Sequence, residues 1–307
     1  MNRIIALGVL LGGVALLFGS FSMITPGMAF AGFCMILAGV IALSMSFIPR
    51  HEPEPESPVA LTPAQSVTGI FTSPASVFRN LSAHPRWVAA FFVALLCLGI
   101  YGLLFVRRVT PEAIETLRIE KIINNGWIPA DKQADFRAGQ MASAQTPLYS
   151  LSPLIVTGVF SFISVIGIAV ICLLGVAMFG GRITFWEALA VSAYTFLPVA
   201  VFRGLVGLLI LYIKAPESLD PLHDQAGIVN ENLGVLFSPM QQPVLYTIAT
   251  FFSLFWLYRV WLLATGLHNI GRKPISTGAA WAISIAVWIT GLSLWVLIAA
   301  TSSSFVA

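Results

Sequence analysis

The chain has 307 residues, of which 58% are hydrophobic and 9% charged, with a net charge of +3 and a mean hydropathy of +0.90. So few scattered cations exclude a nucleic-acid surface, and Cys34, Cys97 and Cys172 all lie inside apolar stretches, without the clustering that a disulfide framework or a zinc site requires. The long uncharged stretches exclude a water-soluble fold instead, because a spanning helix needs about 20 mostly apolar residues to cross roughly 30 Å of hydrocarbon.

Seven such stretches predict an all-α, polytopic transmembrane bundle, with spans at residues 4–21, 27–48, 87–106, 152–179, 184–213, 243–267 and 276–299. The first two form an N-terminal hairpin over 1–49. A basic start and an apolar run resemble a signal peptide, but the small-residue site at Met28–Ala31 falls where the second apolar run begins. Gly8 and Gly12 stand four apart, the spacing of small-residue helix contacts. Residues 50–66 are a linker, where the alternating Pro and Glu from Glu52 to Pro58 favour an extended, solvated chain.

Residues 67–300 make the main domain. Ser73 is placed to cap a helix beginning at Pro74. This amphipathic helix, 73–82, sets Val77, Phe78 and Leu81 on one face and Arg79 and Asn80 on the other. It is expected to lie in the membrane interface, ending at His84-Pro85, with Arg86 and Trp87 at the headgroup level. Ser73, Pro74, Phe78, Arg86 and Trp87 are the candidate partner surface.

After the third span, residues 107–151 form a polar excursion. Thr110-Pro111-Glu112 opens one helix, with Ile114, Leu117, Ile122 and Ile123 as its apolar stripe; Pro129–Gln145 reads as a second, with Phe136 and Met141 inward. The two suit an extramembrane helical hairpin. The loop 214–242 carries Glu217, Asp220, Asp224 and Glu231 against Lys214 alone. His223 between two aspartates matches no metal-site template, so no metal and no cofactor are expected. Trp281, Trp288 and Trp295 recur every seven residues as a packing stripe on the last helix, before a short tail at 301–307. Lys and Arg are equal in number on the two sides. Their greater density in the short loops on the N-terminal side places the N-terminus in the cytoplasm and the C-terminus opposite, in the inner membrane if the source is prokaryotic.

Several segments resemble the Yip domain of Ypt/Rab-interacting membrane proteins. They are Phe71-Thr72-Ser73-Pro74-Ala75-Ser76-Val77-Phe78 continuing to His84-Pro85-Arg86-Trp87, and Thr184–Ala190 followed by Tyr194–Pro198. A Trp-bearing span closing at Gly266-Leu267, then Ser276–Ala280, completes the pattern. The resemblance covers about 70–300 and implies a five-span membrane domain with a cytosolic N-terminus. It also implies partner binding. The chain departs from it by adding the 1–48 hairpin and lacking a long N-terminal region, so GTPase association is not carried over.

Three charges fall within the spans: Glu187, Arg203 and Arg259. Glu187 opens its helix, where a carboxylate is favourable. Arg203 precedes Lys214 by ten residues, about 15 Å along a helix, which is near mid-bilayer, and Arg259 is placed at a similar depth. A central Arg costs about 2.5–3.5 kcal/mol on insertion scales and usually faces the bundle interior. No Asp or Glu in the spans lies at that depth. Pro198 removes the donor for the Tyr194 carbonyl, so Arg203, Arg259, Pro198 and Tyr194 form a candidate intramembrane polar site. No nucleophile elbow, phosphate-binding glycine loop or zinc-protease helix is present. The expected function is therefore a non-enzymatic membrane adaptor or organiser, contacting the bilayer, a membrane or peripheral protein and an anionic lipid. The alternative is a transporter or channel-like protein with an anion or headgroup site at Arg203 and Arg259.

Overall fold

A computed structural model describes residues 2–22, five positions between 32 and 43, and 59–301 apart from 125, 127, 239, 240, 272 and 274. Every named element among them is helical: α1 Asn2–Ser22, α2 Pro63–Thr72, α3 Pro74–Ala83, α4 Val88–Val109, α5 Pro111–Asn124, α6 Gln133–Ala144 and α7 Pro147–Met178. Then come α8 Phe185–Ile213, the one-turn α9 His223–Ala226, α10 Pro243–Thr250, α11 Leu254–Asn269 and α12 Thr277–Thr301. Four stretches are long and apolar enough to cross a membrane: Val88–Val109, Tyr149–Met178, Phe185–Ile213 and Thr277–Thr301. All but five positions of the expected span 27–48, most of the linker and the tail after Thr301 lie outside the described residues.

The chain divides into two compact units. One comprises residues 1–49, 95–164 and 202–229, the other 50–94, 165–201 and 230–307. In the first unit, α1 meets the helical positions 32, 36 and 39 closely. A Cβ on Gly13 would sit 2.7 Å from the Ile36 nitrogen, and one on Gly39 2.8 Å from the Leu10 backbone, while Gly8 has open space around it. The close approach thus uses Gly13 and Gly39 rather than the expected Gly8. In the same unit Gly204 of α8 lies against the Cys97 carbonyl of α4, with 2.8 Å to a would-be Cβ, so these two helices touch backbone to backbone.

The polar excursion is a helical hairpin, α5 packed on α6, as its two apolar stripes require. Ile114 and Ile119 are buried, whereas Leu117 is exposed. α4 passes into α5 through Thr110 alone, whose φ is 74°, a conformation costly for a β-branched residue. Its hydroxyl accepts the Ala113 amide at 3.4 Å and starts α5.

In the second unit, α2 is an element that the linker reading overlooked. Thr62 and Gln65 form a reciprocal capping box and Pro63 takes the first helical position, an arrangement that satisfies two orphan amides. Ser73 ends α2 through its own amide on the Gly69 carbonyl and precedes Pro74 of α3, but makes no side-chain cap. Asn80, expected on the polar face, is buried. It donates to the Val59 carbonyl at 2.9 Å and accepts the Leu61 amide at 3.2 Å, fastening the segment before α2.

The continuous span expected over 243–267 is two helices. Nothing local dictates the break, since Thr250-Phe251-Phe252-Ser253 holds neither Pro nor Gly. Tertiary partners make it possible by taking the backbone groups that a helix would leave orphaned. Ser253 is extended (φ −118°, ψ 144°), and its hydroxyl accepts from the Phe255 and Trp256 amides. The Phe251 carbonyl accepts Trp288 Nε1 at 3.2 Å, and the Phe252 carbonyl accepts the Leu233 amide at 3.4 Å.

Candidate functional site

Arg259, in the second turn of α11, is held by rings. Its guanidinium lies 5.4 Å from the Trp256 ring centroid and 5.5 Å from that of Phe196 on α8, within cation–π range. Trp256 stacks in turn on Phe251 at 5.0 Å and 16°, beside the break. A cavity lined by Trp256, Arg259, Leu263, Ser284 and Trp288 has a volume of about 10 Å³, room for about one water. Tyr194 and Pro198 belong to the same unit and are buried. The Tyr194 hydroxyl lies near Ser66 of α2 and within reach of the Arg86 charge. Arg203 is half-buried on α8 in the other unit.

The same break brings in a carboxylate. Ser253 donates to Glu231 Oε1 at 2.7 Å, and Asn232 pairs with Ser253 as an antiparallel bridge. Sequence order had set Glu231 among the loop acids; the fold sets it at the N-terminus of α11, where negative charge is favoured.

Glu187 closes a second polar cluster in that unit. Its Oε2 accepts the Thr184 amide at 2.5 Å while the Thr184 hydroxyl accepts the Glu187 amide at 3.3 Å, a capping box at the start of α8. Its Oε1 accepts from the Ser82 hydroxyl at 3.4 Å, and the same hydroxyl accepts the Gly271 amide at 3.1 Å. One serine thus ties the end of α3, the start of α8 and the turn between α11 and α12. Of the expected partner surface, Ser73 and Arg86 are exposed and Pro74 is half-buried. Phe78 and Trp87 are not available to a partner. Phe78 is fully buried against Gly266, 3.1 Å from a would-be Cβ, and Trp87 is buried with its ring 6.1 Å from Phe91. The apolar face of α3 is spent on packing.

In the first unit, the loop 214–229 is fastened to α4 and α5. Tyr101 donates to the Asp224 carbonyl and accepts the Ile228 amide at 3.2 Å. The Asp224 carboxylate meets Lys214 Nζ at 3.3 Å and the Asp220 amide at 3.0 Å. Glu115, almost wholly buried, receives Arg118 at 2.5 Å and the Tyr149 hydroxyl at 3.0 Å. Arg118 also reaches Gln225 at 3.5 Å. Around these bonds Tyr101, Phe105, Ile114, Leu211, Leu219 and Ile228 form one apolar cluster. Partial burial pushes the Asp220 carboxyl up. The His223 and Leu222 amides and the His223 ring outweigh it and hold the group below the usual aspartate value. Burial pushes the Lys121 ammonium down, with Asp220 acting against it. Asp220 and Asp224 spend their oxygens on turn amides, and no cluster of three potential metal ligands occurs among the described residues.

Sequence reasoning missed Ser82, Asn80 and Tyr101, whose partners lie up to 189 residues away and carry no local pattern, and Glu115, whose bond to Tyr149 is equally non-local. The chain matches no curated protein and no solved structure. The family model described as the Yip1 domain matches residues 68–298, from the middle of α2 to near the end of α12. A bundle of apolar helices over the same residues is what the opening motif, the Glu187 segment and the Trp-bearing α11 foreshadow, and the chain belongs to the Yip1 domain family of integral membrane proteins.

Proposed function

We propose that this protein is a membrane adaptor, binding partner proteins or lipids without turning them over. What supports the reading is the α5–α6 hairpin, whose buried side is fastened by Glu115, Arg118 and Tyr149 while Glu112, Leu117, Glu120, Asp135 and Arg137 remain exposed. An ordered surface costs a partner less conformational entropy than a mobile loop does. With a cytoplasmic N-terminus the hairpin faces the opposite side, and Arg86 suits anionic headgroups on the cytoplasmic face. The test is a photo-crosslinking side chain at Leu117 or Glu120 in membranes at native expression, with mass spectrometry of what is captured. Reversing Glu112, Glu120 and Asp135 to Lys is expected to lower capture about tenfold, a loss of ~1.4 kcal/mol; unchanged capture rejects the surface.

One observation favours a second reading. A discontinuous helix beside Arg259 is a feature of transporters that bind ions near mid-membrane. In that reading Arg203 and Arg259 attract an anion. Liposome flux of chloride and phosphate, compared with Arg203→Leu and Arg259→Leu, separates the two: no flux, or flux indifferent to both changes, leaves the adaptor.

A further inference from the structure

α12 serves as a depth gauge for the second unit. It runs from Thr277 to Thr301, 25 residues, or ~37 Å at 1.5 Å per residue, slightly more than the hydrocarbon thickness of about 30 Å. Trp288 stands 11 residues along it and Gly291 14, at ~16 and ~21 Å from its start. Both touch the break: Trp288 Nε1 donates to the Phe251 carbonyl, and the Phe251 ring lies 3.5 Å from a Cβ on Gly291. The Phe251–Ser253 break is therefore level with the middle of α12, a helix long and apolar enough to cross a membrane.

The segment before the break follows it there. The Leu233 amide on the Phe252 carbonyl and the Asn232–Ser253 bridge hold residues 232 and 233 at the same level. Gly234 packs on Tyr246 and Thr250 of α10, and α10 packs on α12. Leu233–Leu236 is a single 3-10 turn, and backbone outside an α-helix survives at such depth only where its polar groups are satisfied. Here the Gly234 amide donates to Asn232 Oδ1 at 2.8 Å, the Phe237 amide to the Gly234 carbonyl at 2.9 Å and the Gln242 amide to the Ser238 carbonyl at 2.9 Å. The exposed polar residues Ser238, Gln241 and Gln242 come only at the tip of the segment, while the outward side chains nearest the break are apolar: Leu233 is 51% exposed, Val235 65% and Leu236 72%. In water these three would be a costly patch at a loop tip. In lipid they match the exposed Leu294, Trp295 and Leu297 of α12.

We propose that residues 231–238 and 241–250 form a re-entrant arm whose outward face contacts lipid acyl chains, carrying the Glu231 carboxylate to mid-membrane. The occupant is hydrocarbon because Leu233, Val235 and Leu236 are apolar and exposed and their segment is tied to a break that touches the middle of a spanning helix. The Ser253 hydroxyl and the α11 N-terminus supply the polar contact that the carboxylate needs there. The placement does not depend on the adaptor reading, and its test reads topology and not binding.

The experiment is cysteine accessibility in membranes opened to reagent on both faces. Val235→Cys is compared with Glu217→Cys, an exposed loop position, using the chain with its own three cysteines as blank. A charged, membrane-impermeant maleimide is expected to label Val235→Cys about tenfold more slowly than Glu217→Cys, because thiolate formation and reagent entry are both suppressed in hydrocarbon. Protection by protein is not expected at a residue this exposed. A bimane on the same cysteine is expected to be quenched more by phospholipids spin-labelled deep in the acyl chain than by headgroup-labelled ones. Leu236→Cys carries the same test should Val235→Cys fail to insert. Equal labelling of both positions, with quenching from the aqueous phase, places the arm in water and overturns the proposal.

Discussion

Glu187 shows what one buried carboxylate can hold together. It closes the α8 capping box and takes the Ser82 hydroxyl, which in turn takes the Gly271 amide. Glu187→Ala leaves those donors unsatisfied, and a buried unsatisfied group costs about 1–3 kcal/mol. A clear fall in thermal midpoint in detergent is expected, with Glu187→Gln recovering part of it. The acid at the helix start was legible in sequence because macrodipole and capping act locally; Ser82 was not, because 105 residues separate the pair. Arg259 teaches a similar lesson. Its charge stood out in an apolar run, and Trp256 stands three residues before it on the same helix, but Phe196 was invisible because it comes from another helix. Arg259→Lys keeps the charge and loses the planar stacking, so a destabilisation of about 1 kcal/mol is expected by the same melt. Asp220 has the opposite relation to solvent. Hydrogen bonds hold its folded-state pKa below the usual value, so its contribution is complete above that value and is lost only as pH falls through the folded one. Amide exchange of residues 220–228, corrected for intrinsic rates, should therefore give equal protection at about pH 7 and about pH 5, and loosening at pH 5 contradicts this.

At the level of elements, hydropathy revealed the straight spans because long apolar runs need only length. It concealed the α10–α11 break, because Phe251-Phe252-Ser253 reads as well inside a helix as between two. Ser253 is the residue that makes the break affordable to the chain. Ser253→Ala removes the acceptor for two amides and the donor to Glu231; cap removal alone costs ~1 kcal/mol, and a larger loss is expected with the Glu231 bond included. Helix contact is equally specific. Gly204→Ala drives a methyl against the Cys97 carbonyl, 2.8 Å away, and backbone cannot step aside as a side-chain end can. Overpacking of about 1–3 kcal/mol is expected, read as a lower midpoint and as faster exchange in the adjoining parts of α4 and α8. A midpoint unchanged in Gly204→Ala would mean that the helices do not approach so closely.

The molecule as a whole was legible as an all-helical membrane protein, and its family through Pro, aromatic and small residues near the ends of helices. What composition could not supply was the fastening of loops. The acidic loop and the polar excursion read as separate polar segments, yet Tyr101, Asp224, Glu115 and Tyr149 bind them over a shared apolar cluster. Removing residues 110–145 would strip Ile114 and Ala144 from that cluster. Increased dye binding and aggregation are expected alongside any loss of partners, and charge reversal on the outer face avoids that confusion.

The junction at Thr110 has a mechanical consequence. One residue, in a backbone conformation with φ of 74°, is all that separates Val109 of α4 from Pro111 of α5. Such a joint has no slack, and Pro111 and the Thr110 hydroxyl stiffen it further. A change in the tilt of α4 as bilayer thickness varies is then transmitted as a swing of the hairpin about a one-residue fulcrum. Thr110→Gly relieves the strained conformation and slackens the lever. Spin-label distances from α4 to α6, measured in thin and thick bilayers, should stay the same in the native chain and broaden in the glycine variant.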